Sequence, residues 1–421
     1  MPAEAEALAL DERDPVPCLR HRFLVPEGPD GPQVYLAGNS LGLPTVDTRR
    51  YVDDELERWA RLGVAGHFTG EGAWAPYHRL LTEPLAALVG GHSDEVVAMN
   101  SLTVNLHLLL ISFYAPTEGR HKILLEAGAF PSDHFAVESQ IAQRGHDPAT
   151  SMVLVEPRPG EDLLRPEDLL AAIERTGDEL ATVVLPGVHY YTGQVLPMAE
   201  ITATAHAVGA VVGFDLAHAA GNLVLDLHRW DVDFAVWCSY KYLNGGPGGV
   251  GGAFVNRRHV DDPHRPKLTG WWGTRPDTRF EMSTRFEPLP TIESWQLSNA
   301  PILAMASLRA SLDLFAEAGG MGPLRARSGR QIAYFDHLLD TVLAGRVESI
   351  TPRAPAERGC QLALRITAPG VDGKEVHTEL ERRGVACDWR HPAVIRVAPV
   401  PLYNTFTDIH RFVTILDEIL R

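Results

Sequence analysis

The stretch DFAVWCSYKYLNGGPGG (residues 233–249) joins an apolar run, typical of a buried strand, to a lysine and a series of glycines. Such a strand would deliver Ser239, Tyr240 and Lys241 to its carboxyl end. Burial among apolar and aromatic groups generally lowers the pKa of an amine, and it makes a lysine reactive toward carbonyl compounds. The alternative for Lys241 is a solvated ammonium group at the end of a strand.

A second apolar run lies upstream in VVGFDLAHAAGN (211–222) and ends at Asp215. Ligands of open α/β sheets bind just outside the carboxyl ends of the strands, so Asp215 and Lys241 predict one shared site. A buried carboxylate needs a cationic partner. Pyridoxal phosphate meets both demands, because its ring nitrogen pairs with an acid and its aldehyde with a lysine. His218 either contacts this site or is an ordinary buried histidine.

Apolar runs alternate with helical patterns on both sides of these two segments. The strand-like runs are 95–100, 121–130, 151–157, 181–188, 210–218 and 233–240, and the helical patterns are 45–63, 101–114, 132–145, 166–177 and 198–209. The strand-like runs are continuously apolar, which indicates burial on both faces. We therefore expect an α/β fold with a mostly parallel central sheet flanked by helices.

The pattern changes after residue 300. Long helices are predicted at 302–320 and 330–345, followed by a strand, a helix and a strand at 360–367, 374–384 and 393–399, and by a last helix at 406–420. This order is typical of a smaller α+β domain. We expect an N-terminal arm (1–50) that packs with the small domain, a large cofactor-binding domain (51–305) and the small domain (306–421).

Composition excludes several classes of protein. The net charge of −16 repels phosphate backbones, so nucleic acid is not an expected partner. The acidic N-terminus is not a signal peptide, and no apolar run approaches the roughly 18 residues of a membrane span. The four cysteines form no CxxC pair, which favours a reduced, cytoplasmic setting.

Two helix starts and one arginine are candidates for binding anions. AFPSDHF (129–135) ends a strand and opens a helix with Ser132 as its expected N-cap, and SLT (101–103) opens another helix. Free amide groups at helix N-termini bind phosphate. Arg396 lies in an apolar segment and needs an anion, which is either a substrate carboxylate or an internal acid.

Two other kinds of site are not expected. Gly246, Gly248 and Gly251 match GxGxxG, but that fingerprint must open a helix, and here a strand-like run follows. Cys387 and His391 would need two further ligands to hold a metal ion, so no metal site is predicted.

Taken together, these segments resemble the kynureninase family of fold-type-I pyridoxal-phosphate enzymes, which are related to class-V aminotransferases. The resemblance covers YLAGNSLGLP (35–44), MNSLTVNLHLLL (99–110), ILLEAGAFPSDHFAVESQ (123–140), PGVHYYTGQ (186–194), WQLSNAP (295–301) and RVAPVPLYN (396–404). It implies hydrolysis of the Cβ–Cγ bond of L-kynurenine or 3-hydroxy-L-kynurenine to anthranilate or 3-hydroxyanthranilate plus L-alanine. The role would be tryptophan catabolism through the kynurenine pathway, NAD biosynthesis, or supply of an anthranilate-type unit to a natural product. The enzyme would be a homodimer with active sites shared between subunits.

The resemblance also implies roles for matching positions in the cofactor site. Pyridoxal 5'-phosphate would form a Schiff base with Lys241, Asp215 would pair with its ring nitrogen, and Phe130 would lie against the ring. The other residues of the cofactor pocket would be Leu102, Thr103, Pro131, Ser132, Asp133, His218, Tyr240, Trp271 and Asn299, of which Trp271 and Asn299 would come from the partner subunit. Pro186 stands where relatives can carry a hydroxyl residue, so no side-chain contact is assigned to it.

The substrate site is implied in the same way. Arg396 would bind the substrate α-carboxylate, and Ser40 would lie near the reacting carbonyl. The catalytic residues would be Ser40, Asp215, Tyr240 and Lys241. His67 and the pair Ser298–Asn299 resemble the family members that favour 3-hydroxykynurenine.

Three alternatives remain. A cysteine desulfurase needs a catalytic cysteine on a mobile loop, whereas Cys360 and Cys387 lie in regular segments. A class-V aminotransferase would need a keto-acid acceptor. A non-catalytic binding module commonly lacks the lysine or the aspartate, and both are present here.

Overall fold

The structure is a computed structural model that describes residues 4–260, 262 and 264–421. Its helices are α1 (Glu4–Arg13), α2 (Thr48–Leu62), α3 (Arg79–Val89), α4 (Leu102–Phe113), α5 (Pro131–Gln143), α6 (Pro148–Ser151), α7 (Pro166–Thr176), α8 (Met198–Ala207), α9 (Arg257–Val260), α10 (Ile302–Glu317), α11 (Met321–Thr341), α12 (Gly373–Arg382) and α13 (Phe406–Ile419). None of these helices is long and apolar enough to cross a bilayer.

The strands form one large sheet, one smaller sheet and two short pairs. They are β1 (Glu27–Gly28), β2 (Gly31–Pro32), β3 (Val34–Tyr35), β4 (Val96–Ala98), β5 (Lys122–Glu126), β6 (Met152–Val155), β7 (Leu180–Pro186), β8 (Val211–Asp215), β9 (Phe234–Trp237), β10 (Gly252–Val255), β11 (Val347–Ser349), β12 (Leu362–Ile366), β13 (Val385–Ala386), β14 (Asp388–Arg390) and β15 (Val394–Val397).

The large sheet has seven strands in the order β4-β10-β9-β8-β7-β5-β6. Strands β6, β5, β7, β8 and β9 run parallel, and β10 is antiparallel to both of its neighbours. The predicted mostly parallel sheet is therefore confirmed. In this register Pro186 lies opposite Asp215, and Asp215 lies opposite Val236, so the carboxyl ends of β7, β8 and β9 meet at one edge.

Successive residues of the sheet contribute to two separate apolar layers. Val97, Ile123 and Val236 pack with α4 and α5, whereas Val96 and Leu124 pack with α3, α7, α8 and α10. Because side chains of a strand alternate between its two faces, helices on both faces require the continuously apolar runs seen in the sequence.

The smaller sheet has the order β11-β12-β15-β14 and packs with α11, α12 and α13. The N-terminal segment joins this unit, since β3 pairs with β13 and Ala7 of α1 lies in the same apolar core. The sequence predicted an arm here, and helix α1 was not predicted. EAEALALDER is rich in residues that favour helices. However, proline and glycine are frequent in the residues that follow it, and they determined the composition of the N-terminal segment as a whole.

Candidate active site

A cleft opens where the central strands end and α4 and α5 begin. Its free volume is about 160 Å³. Its lining consists of Leu102, Thr103, Glu126, Phe130, Ser132, Asp133, Pro186, Val188, Tyr190, Asp215, Ala217, His218, Tyr240 and Lys241. The structure therefore brings the lysine and the aspartate of the two quoted segments into one site.

The amine of Lys241 lies among aromatic rings and one histidine. Its Nζ is 3.1 Å from Nε2 of His218 and 5.9 Å from the ring centres of both Phe130 and Tyr240. Burial, followed by the nearby Lys241 charge, holds the pKa of His218 well below its usual range. His218 is therefore neutral, and its Nε2 can accept a hydrogen bond from the amine.

Asp215 and Asp133 form a buried acid pair. The amide of Ala217 donates to Oδ1 of Asp215 at 2.7 Å. Burial raises the pKa of Asp215, while Lys241 and the Ala217 amide oppose that shift. Burial, together with the Asp215 carboxylate, raises the pKa of Asp133 well above its usual range. Of the two, Asp215 is the carboxylate that carries the negative charge.

Helices α4 and α5 begin at the cleft and direct free amides into it. Ser101 is the N-cap residue of α4, so Leu102 and Thr103 begin the helix at the cleft wall. The expectation that Ser132 caps α5 is wrong. Phe130 is the N-cap and Pro131 begins the helix, because the fixed φ of proline suits the first helical position. Ser132 instead donates from Oγ to Oδ1 of Asp133 at 3.4 Å.

Arg396 lies behind the cleft wall and is paired with an internal acid. Its Nη1 donates to the carbonyl of Tyr190 at 2.6 Å, and its Nη2 forms an ion pair with Asp388. Asp388 is the direct cross-strand neighbour of Arg396 in the β14–β15 pair. Of the two partners considered for this arginine, the internal acid is the one that the structure contains.

The GNSLG segment approaches Lys241 through its backbone. The amide of Gly42 donates to the carbonyl of Tyr240 at 2.8 Å. A Cβ atom at Gly42 would lie 2.3 Å from the carbonyl oxygen of Lys241, so only glycine permits this contact. Ser40 lies two residues earlier in the same segment and is half-buried.

Seven of the predicted residues are not among the residues that line the cleft: Ser40, His67, Pro131, Trp271, Ser298, Asn299 and Arg396. The half-buried His67 packs edge-on against Trp74, with ring centres 5.2 Å apart. Trp271 packs against Phe280 at 5.3 Å. Ser298 and Asn299 are exposed.

Curated sequences that match the chain over nearly its whole length carry one name. A kynureninase of Koribacter versatilis (strain Ellin345) is 53% identical over 97% of this chain and 95% of its own length. A kynureninase of Myxococcus xanthus (strain DK1622) is 52% identical over 99% of this chain and 97% of its own length. The chain belongs to the kynureninase family.

Two family models match parts of this kynureninase-family chain. Residues 324–416 match the kynureninase C-terminal domain, and residues 67–228 match the DegT/DnrJ/EryC1/StrS aminotransferase family.

Solved structures with low identity share the kynureninase fold. The cystine C-S lyase C-DES has a TM-score of 0.76 at 18% identity and covers 92% of this chain and 97% of its own. The cysteine desulfurase CsdA of Escherichia coli has a TM-score of 0.73 at 19% identity and covers 95% of this chain and 97% of its own. At these identities the likeness shows the fold alone, and it confirms the expected fold-type-I architecture.

The cleft of the kynureninase chain fits pyridoxal phosphate. Nδ1 of the buried His218 has no hydrogen-bond partner among the described residues, so it is available to a polar ligand. Asp215 presents a buried carboxylate suited to a cationic ring nitrogen, and Lys241 presents an amine suited to an aldehyde. The α4 and α5 starts offer amides suited to a phosphate.

Glu126, His189 and Tyr190 belong to this region and were not singled out from the sequence. Glu126 ends β5, at the same sheet edge as Asp215, and the rule used for the ends of β8 and β9 would have found it.

A separate group of His92, Glu95 and His228 has the side chains of a metal site. However, the Glu95 carboxylate already accepts the amides of His92 and Arg257 and a bond from His228, each at 2.8 Å. Through these contacts the three side chains connect separate backbone segments, which accounts for the group.

Proposed function

We propose that the chain is a pyridoxal-phosphate-dependent hydrolase that cleaves the Cβ–Cγ bond of L-kynurenine and 3-hydroxy-L-kynurenine. The products are anthranilate or 3-hydroxyanthranilate and L-alanine. The observation that carries the proposal is the common cleft of Lys241 and Asp215 in a chain half identical to kynureninases along its length. The net charge of −16 and the free cysteines fit a cytoplasmic enzyme that does not bind nucleic acid.

Four residues of the cleft have distinct roles in this proposal. When bound, pyridoxal phosphate supplies an electron sink for negative charge on the substrate carbons. Lys241 Nζ moves protons at the substrate α-carbon. Neutral His218, 3.1 Å away, accepts a hydrogen bond from this amine. Asp215 keeps a negative charge opposite the ring nitrogen, and Phe130 covers one face of the ring. Water adds to the γ-carbonyl, and the aromatic acid leaves as the Cβ–Cγ bond breaks.

Arg396 and Ser40 are proposed to hold the two ends of the reacting chain. The fork of Arg396 is oriented by Asp388 and by the Tyr190 carbonyl, which leaves Nε without a partner among the described residues. A substrate carboxylate would use this free donor. Ser40 would lie beside the γ-carbonyl, and the contact of nearby Gly42 with Tyr240 supports this position.

The test is incubation of the purified holoenzyme with L-kynurenine. Anthranilate, followed by its fluorescence, and alanine should form in equal amounts. Formation of neither product would reject the proposal, and consumption of pyruvate or oxoglutarate would favour an aminotransferase. A desulfurase is disfavoured by the thiols themselves, because burial raises the pKa of Cys360 to about 12 and no cysteine lines the cleft in the described chain.

Substrate preference is proposed to depend on His67 and Asn299. A site that hydrogen-bonds a substrate hydroxyl discriminates against its absence, so we expect kcat/KM for 3-hydroxy-L-kynurenine to exceed that for L-kynurenine by about tenfold or more. His67→Ala should reduce this ratio, and Glu156→Gln, an exposed change at the end of β6, should not. A large preference for L-kynurenine would refute the assigned roles.

The functional unit is proposed to be a homodimer. Phe68, Trp271 and Phe280 form an exposed aromatic patch, with side chains 61%, 46% and 49% exposed. Exposed apolar clusters of this kind mark protein interfaces. A second subunit packed there would bring Trp271 and Asn299 to the cleft of the first.

Subunit mixing tests the shared site. Lys241→Ala and Trp271→Ala subunits should each be inactive alone. After exchange, about a quarter of the wild-type activity should return, because half of the dimers are mixed and each mixed dimer has one intact site. Mass measurement of mixed dimers verifies the exchange. Mixed dimers without recovered activity would show that Trp271 serves its own subunit.

A further inference from the structure

Glu126 is a buried acid without a partner in the wall of the cofactor cleft. It is the last residue of β5 and is 1% exposed. Neither of its carboxylate oxygens has a hydrogen-bond partner among the described residues. A buried carboxylate in such surroundings is strongly unfavourable, whereas a neutral carboxylic acid costs much less.

The nearest polar group cannot neutralise a charge on Glu126. Nε2 of His189 lies 3.6 Å from Oε1 of Glu126. Nδ1 of His189 accepts the amides of Tyr191 and Thr192 at 3.2 and 3.1 Å, so the ring proton sits on Nε2. Burial lowers the pKa of His189 to about 4, so this ring is neutral at physiological pH.

Charge balance in the cleft leads to the same result. Three carboxyl groups line it, on Glu126, Asp133 and Asp215, and Lys241 is the single cation among the described lining residues. Asp215 faces that cation, while His218 and His189 are both neutral. Like charges in one buried site oppose ionisation, so the Asp215 carboxylate disfavours a negative charge on Glu126 and on Asp133.

We propose that Glu126 is a positioning residue that stays a neutral carboxylic acid in the working enzyme, so that Asp215 is the carboxylate that faces the cofactor ring nitrogen. The proposal rests on pyridoxal phosphate as the cofactor and not on the identity of the substrate. Burial, followed by the Asp215 charge, raises the pKa of Glu126 to about 8. The neutral form therefore prevails at neutral pH and disappears as the pH rises through mildly alkaline values.

Infrared spectroscopy of the holoenzyme tests the protonation state directly. A protonated carboxylic acid has a carbonyl band that is separate from carboxylate absorption. The difference spectrum of wild type minus Glu126→Gln should contain this band at neutral pH. The band should weaken as the pH is raised. Wild type minus Glu156→Gln, in which the lost acid is exposed, should lack it. Absence of the band from the Glu126 difference would overturn the proposal.

The absorbance of the bound cofactor tests the positioning role. Ionisation of Glu126 adds a negative charge near the ring, so the wild-type spectrum should change in a step centred near pH 8. Glu126→Gln should lack this step, and Glu126→Asp, which keeps an acid, should retain one. At pH 7 the bound cofactor of the Gln variant should have the same absorbance spectrum as that of wild type, since an amide resembles the neutral acid. An unchanged step in the Gln variant would overturn the proposal even if activity fell.

Discussion

Replacement of Lys241 by alanine is expected to lower kcat/KM by at least about 10³-fold, because the variant loses both the cofactor-binding amine and the proton carrier. The cleft offers no substitute. Lys241 is the single amine among its described lining residues. His218 lies next to Nζ, but it is an imidazole and not an amine. Steady-state assays with L-kynurenine measure the loss.

Borohydride reduction adds a structural readout for the same residue. Reduction should fix the chromophore to the peptide that contains Lys241 in wild type and to no peptide in the alanine variant. Attachment to Lys122, Lys267 or Lys374, or activity within tenfold of wild type in Lys241→Ala, would contradict the assignment.

Lys267 is the informative control among the remaining lysines. Burial lowers the pKa of Lys267 to about 8, and its Nζ lies 3.6 Å from the ring centre of Trp295. A reactive amine chosen by pKa alone would be Lys267. It lies outside the cleft, so Lys267→Arg, which keeps the contact between cation and ring, should retain activity.

The sequence was informative wherever burial on both faces left a continuous apolar run. Strands β5, β8 and β9 fall inside the predicted runs, and β7 begins one residue before its run. The residues at the ends of β8 and β9 lie in the cleft as expected. Their positions follow from the chain direction in a parallel sheet, which needs no knowledge of distant contacts.

Long-range pairings were beyond that reasoning. The partner of Arg396 depends on the register of β14 and β15, which the sequence does not specify. Helix α11 begins at Met321, nine residues before the predicted start at 330, because Pro323 is tolerated in a first helical turn. His67, Trp271, Ser298 and Asn299 do not line the cleft of the described chain, and their place in the site stays a prediction.

Asp215→Asn should lower kcat/KM by roughly 10²–10³-fold, because removing one member of a buried ion pair costs several kcal/mol. Asparagine keeps the shape and can still accept the Ala217 amide at Oδ1. The change therefore isolates the charge. The spectrum of the bound cofactor should shift toward the form with an unprotonated ring nitrogen, and cofactor affinity should fall.

The ionisation of Asp133 determines how much activity the Asp215→Asn variant loses. Its pKa is raised by burial and then by the Asp215 carboxylate, so removal of the Asp215 charge lets Asp133 ionise more readily. A residual anion then remains near the ring. Asp215→Asn combined with Asp133→Asn should lose more activity than the product of the two single effects, since neither acid is left to replace the other. Strictly multiplicative losses would show that the two carboxyl groups act independently, and Asp215 would then be the lone source of negative charge at the ring nitrogen.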